Sequence, residues 1–78
     1  MDCILRLPQV SKAIGLGRST LYALVSDGRL TSPVKISERA VGWPESEIVA
    51  INAARIAGKP DGEIREIVAR LEVSRKAS

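Results

Sequence analysis

A mostly α-helical domain with one small β-hairpin is the fold the 78-residue sequence predicts, and three observations predict it. Val10, Ile14, Gly15, Leu16, Leu21 and Leu24 are spaced as two short helices packed across a tight turn require. Apolar and polar residues alternate along Val34-Lys35-Ile36-Ser37 and again towards Trp43, the period of a half-buried strand. Ile64, Ile67, Val68 and Leu71 form an i, i+3, i+4, i+7 stripe, the mark of an amphipathic helix. Two helices, a hairpin and a third helix, in that order, make a winged helix-turn-helix, here with an additional C-terminal helix.

The elements follow from local chemistry. Pro8 suits a first helical turn, where its missing N–H is not needed, and the helix it opens runs to Ile14. Gly15 is placed to take the left-handed conformation that ends a helix. A second helix spans Arg18 to Asp27 with Leu21, Leu24 and Val25 inward, and Asp27-Gly28 closes it. Residues 29–33 connect, because Pro33 disfavours helix at Ser32. The hairpin pairs residues 34–37 with 40–43 around a charged Glu38-Arg39 tip, and Trp43 is expected in the core, pinning the wing to the third helix. That helix opens at Pro44-Glu45-Ser46-Glu47 and carries Ile48, Ile51 and Ile56 inward to Gly58, with its acids on polar positions. Asp61 is expected to cap the fourth helix, where Glu66–Arg70 and Glu72–Lys76 pairs each add a few tenths of a kcal/mol. The end from Arg75 to Ser78 is expected to fray. The predicted organisation is one domain over 4–58 and a helix over 61–75 that packs on it or on a partner.

Composition removes whole classes of function. With no His and one Cys, the chain lacks the raw material of a zinc finger, a His-based acid–base site or a disulfide framework. Neither a nucleophile–base arrangement nor a catalytic carboxylate pair is present, so no enzyme and no cofactor is predicted. No apolar run approaches the roughly 18 residues of a membrane span, and Asp2, Arg6 and Pro8 interrupt any signal-peptide pattern. A soluble, cytoplasmic domain follows as the expectation. The net charge of +3 is unevenly placed: residues 1–42 hold six basic and three acidic side chains, and residues 43–78 hold six of each. The excess sits in the half that carries the helix-turn-helix, as a polyanion-binding face would have it.

The outer face of the second helix holds Arg18, Ser19, Tyr22, Ala23 and Ser26, with Thr20 near its edge. Arg18, Ser19 and Thr20 occupy the first turn, where recognition helices meet base edges or phosphates. Tyr22 is placed to hydrogen-bond a phosphate or to cover the helix pair. The wing offers Lys35, Ser37 and Arg39 to the backbone or the adjacent minor groove. Double-stranded DNA is therefore the predicted partner, with Arg18, Ser19, Thr20, Tyr22, Lys35, Ser37 and Arg39 as its candidate contacts.

Residues 4–58 also resemble a known family. Leu5-Arg6-Leu7-Pro8-Gln9-Val10, Gly15-Leu16-Gly17-Arg18-Ser19-Thr20-Leu21-Tyr22, Gly28, Pro33-Val34-Lys35 and Arg39-Ala40-Val41-Gly42-Trp43 look like the AlpA-type phage and prophage regulators. The resemblance implies a MerR-like winged helix-turn-helix related to phage excisionases. It implies a transcriptional regulator of a mobile element, in the bacterial cytoplasm with the nucleoid. The chain departs from the family pattern at Gly17, where Ser is usual, at Ala23, where a basic residue is common, at Leu30-Thr31-Ser32-Pro33, in place of Phe-Pro-x-Pro, and at Ile51, where Trp is frequent. Two rival readings stand beside this one. In one, the chain is an excisionase-like DNA bender or a DNA-packaging recognition protein. In the other, it is a protein-interaction module whose third and fourth helices form the binding surface, the fourth also serving self-association.

Overall fold

The structure, a computed structural model, describes residues 3–77. In chain order these form β1 (Ile4–Arg6), α1 (Leu7–Ile14), α2 (Arg18–Ser26), β2 (Val34–Ser37), β3 (Ala40–Pro44), α3 (Glu45–Ile56) and α4 (Asp61–Ala77). The sheet is antiparallel with β3 central, flanked by β1 and β2. Helices α1 and α3 pack against β3, and α4 lies along α3.

Local signals set most boundaries. The Arg6 N–H donates to Gln9 Oε1 at 2.8 Å, one arm of a capping box at the start of α1. Gly15 ends the helix with φ 83°, and the N–H groups of Gly15 and Leu16 both donate to the Ser11 carbonyl. An L-residue there would be strained, which is the reason for glycine at the turn. The Ser11 hydroxyl donates in addition to the Leu16 carbonyl at 2.5 Å, so the turn into α2 is held from both sides. Gly17 stands as the N-cap of α2.

The core draws on every helix and on β3. Val10, Leu21, Leu24, Leu30, Trp43, Ile48, Ile51, Ala54, Ile64 and Val68 are buried, and Leu5, Ile14, Ile67 and Leu71 pack against them. Ile64 and Val68 thus turn the stripe of α4 into the domain's own core, which a chain of this size needs. Trp43 is fully buried and donates its indole N–H to the Thr31 carbonyl at 2.7 Å, tying β3 to the connector after α2.

Several expectations are corrected. A third strand, β1, precedes α1 with no loop between them. Ile56 is exposed and not part of the core: it follows Ile51 by five residues, about 140° around the helix, and Ala54 takes the inward position. Ile36 is also exposed. The register pairs Val34 with Gly42 and Lys35 with Val41, and a bulge falls between Lys35 and Ser37. Val34 and Ile36 therefore lie on the sheet face opposite to Trp43, since cross-strand partners share a face and adjacent residues of a strand do not: Val34 pairs with Gly42, the neighbour of Trp43. On that outer face Ile4 and Ile36 close over Gly42, where a Cβ would come within 2.5 Å of Ile4 Cγ2 and 2.7 Å of the Leu5 carbonyl oxygen.

The ends of α3 and α4 differ from expectation as well. Glu47 is buried, not on a polar face, and accepts two hydrogen bonds from Arg75, Nε to Oε2 at 2.7 Å and Nη2 to Oε1 at 2.5 Å. This pair holds α4 helical to Ala77 where fraying was expected; Ser78 lies outside the described residues. Asp61 is inside α4 and turns its carboxylate to Arg29 at 3.3 Å, while the Pro60 carbonyl receives the first helical N–H groups. Glu72 accepts from the Ser32 N–H at 2.7 Å in place of an ion pair with Lys76.

Candidate nucleic-acid interface

Helix α2 buries Leu21 and Leu24 and leaves Arg18, Ser19, Thr20, Tyr22, Ala23 and Ser26 exposed. No side chain caps its N-terminus, because Gly17 has none to offer. Its first-turn N–H groups therefore stand beside two free hydroxyls and one guanidinium, a combination suited to an anion.

The sheet sits beside this helix. The Tyr22 ring lies 6.4 Å from that of Trp43, tilted by 53°, so its phenol rests against the wing-side core with 38% of the residue exposed. Lys35, opposite Val41 in the register, is on the sheet face that carries Trp43 and hence on the side against which Tyr22 packs. Ser37 and Arg39 are exposed at the end of the hairpin, on either side of Glu38. The contact between Tyr22 and Trp43 is what joins the helix group to the wing group.

The ion pairs sort the basic residues. Arg29, counted with the basic half, is held by Asp27 at 2.6 Å and by Asp61 at 3.3 Å. Arg65 donates to the Asp27 carboxylate at 2.8 Å and to the Asp27 carbonyl at 3.0 Å. The Arg65 hydrogen bond, with Arg29 adding to it, holds the Asp27 carboxyl below its ordinary value. Arg55 reaches the Arg29 carbonyl, Lys59 pairs with Glu63, and Arg75 with Glu47. Among the described residues, Arg6, Lys12, Arg18, Lys35 and Arg39 have no acid within ion-pair distance, and all five are exposed. Arg6 and Lys12 were not among the residues singled out from sequence; their only signal there was the charge count of the first half. Among the described residues there is no group of His, Cys, Asp and Glu side chains arranged for a metal ion, and no helix is long and apolar enough to cross a membrane.

Among the described residues, four helices and a three-stranded antiparallel sheet, with a tight turn between the first two helices and a basic hairpin beyond, give a small, mostly helical domain compatible with a winged helix-turn-helix. Residues 3–52 match the family model described as the prophage CP4-57 regulatory protein, AlpA. The chain belongs to this AlpA family, which is a family of phage regulators and not of enzymes. It is also 41% identical over 58 residues to the uncharacterized protein ORF88 of Enterobacteria phage P4, a match covering 74% of this chain and 66% of that protein. No solved structure matches it.

Proposed function

We propose that the chain is a sequence-specific, double-stranded-DNA-binding transcriptional regulator of a phage or mobile element, built as a MerR-like winged helix-turn-helix. Helix α2 enters the major groove with Arg18, Ser19 and Thr20 at base edges or phosphates, and Tyr22 reaches a phosphate with its hydroxyl. The wing brings Lys35, Ser37 and Arg39 to the backbone or the adjacent minor groove. The observation that carries this reading is the distribution of unpaired cations. Among the described residues, five of the six basic residues in the helix-turn-helix and wing half have no acid within ion-pair distance, whereas those of the second half are mostly held within the fold. A protein of this kind acts in the bacterial cytoplasm, on the nucleoid or on phage DNA.

The stripe of α4 that a protein-interaction reading relies on faces inward, so DNA binding has the better-exposed chemistry. Fluorescence anisotropy with duplexes from the protein's own promoter and attachment regions, titrated at several salt concentrations, tests the proposal. Three to five phosphate contacts give a slope of log K against log salt of about −2.7 to −4.5. Absence of duplex binding at low salt refutes it, and binding without preference among duplexes refutes its sequence-specific part.

A further inference from the structure

Beyond its first turn, where Glu45 and Ser46 are exposed, helix α3 is apolar on the side that faces solvent. Its core side carries Ile48, Ile51 and Ala54, and turned away from them are Val49, Ala53 and Ile56, with Val49 61% and Ile56 87% exposed. A surface helix ordinarily keeps charged residues on that side, and a helix apolar all round is normally covered on every side. The charges inside α3 are both drawn away from this face. Glu47 is buried against Arg75, and Arg55 reaches the Arg29 carbonyl. What remains stands at the two ends and is of opposite sign: Glu45 opens the helix, exposed and with no ion pair among the described residues, and Lys59 follows its last turn. Lys59 lies 3.6 Å from Glu63 in an exposed pair, which holds it only weakly. At 100° per residue, Glu45, Val49 and Ile56 fall within about 40° of one another on the helix surface.

We propose that this face of α3 packs against the same face of a second copy of the chain, the two helices antiparallel about a two-fold axis beside Asn52 and Ala53. Val49 of one copy then lies against Ile56 of the other, because the two positions are equidistant from the axis. Ala53, at the axis, lets the backbones approach. Glu45 of each copy meets Lys59 of the other, whereas a parallel pairing would place like charges together. The face thus complements itself in both shape and charge, as an isologous contact demands, and this selects a second copy over an unrelated protein. The surface is distinct from the stripe of α4, which is spent on the core, and the proposal stands independently of DNA binding.

Sedimentation equilibrium of the full chain without DNA, from low micromolar to submillimolar concentration, tests it. The expected result is a reversible monomer–dimer equilibrium. Ile56→Glu and Val49→Glu, both at exposed positions, should leave the circular dichroism spectrum and melting curve of the monomer unchanged. Each should weaken association roughly 100-fold or more, since the two-fold axis counts every substitution twice. Glu45→Lys should weaken association, and Glu45→Lys combined with Lys59→Glu should restore it. A chain that stays monomeric across the range overturns the proposal. So does a dimer that Ile56→Glu and Val49→Glu leave intact, which would place the contact on another face.

Discussion

Replacing Arg75 by Ala removes the partner of a buried carboxylate while leaving the carboxylate in place. Glu47 is 4% exposed and receives both of its hydrogen bonds described above from the Arg75 guanidinium. Breaking a buried pair on one side costs about 3–5 kcal/mol, because the remaining charge is stranded away from water. The Arg75 side chain is 24% exposed, so water can reach the vacated space and the expected cost falls to about 2–4 kcal/mol. A chain of this length has roughly 4–12 kcal/mol of total stability, which makes the loss a large share of it. The melting temperature should drop by roughly 10–30 °C. Urea titration, with thermal melting followed by circular dichroism, measures the change. The control is Glu47→Leu with Arg75→Leu. An apolar pair of similar size should recover much of the loss, since the ionic pair itself has small net value once desolvation is counted. If Arg75→Ala stays within about 0.5 kcal/mol of the parent, the pair behaves as a surface ion pair. The inference that it anchors the end of α4 is then wrong.

Further outcomes follow from the same geometry. Gly42→Ala should cost about 2 kcal/mol or more in urea titration, because the added Cβ meets the Leu5 carbonyl as well as the Ile4 side chain, and backbone cannot swing aside. The depressed Asp27 carboxyl contributes stability that is fully present above its ordinary value of 3.8 and is lost as pH falls through its lower value in the fold. Melting temperatures of the parent and Asp27→Asn should therefore differ at neutral pH and converge in acid; a constant difference would exclude this linkage. In the anisotropy assay, Arg39→Ala should weaken duplex binding across sequences and flatten the salt slope by about 0.9, and an unchanged slope would remove Arg39 from the phosphate contacts.

What was legible in the sequence was local. Gly15, Pro44 and the spacing of Leu21 and Leu24 each constrain a few neighbouring residues, and the elements they mark form where those constraints place them. What was not legible depends on partners far along the chain. Strand β1 is three residues long and exists because Ile4–Arg6 pair with Gly42–Pro44, nearly forty residues later. The outward turn of Ile36 depends on a register and a bulge that alternation alone cannot fix: a slip of one residue exchanges the faces. Ile56 looked inward because it is an isoleucine on a helix, yet its angular position was already incompatible with Ile51.

The same contrast governs the candidate interface. Charge counting finds the basic half but cannot say which cations are free, because their acids come from other elements. Asp27 at the end of α2 is bridged to Arg65 on α4, and this network also takes Arg29 out of the basic surface. Removing Arg29 does not weaken the case for a polyanion-binding face. It concentrates that case on Arg18, Lys35 and Arg39, which the motif had already indicated, and adds Arg6 and Lys12 at the two ends of α1. In the docking proposed above the first helix crosses the nucleic-acid backbone, which would bring Lys12 on α1 and Arg6 just before it to the same phosphates as α2 and the wing. A salt slope nearer the five-contact than the three-contact value would then be the signature of α1 taking part.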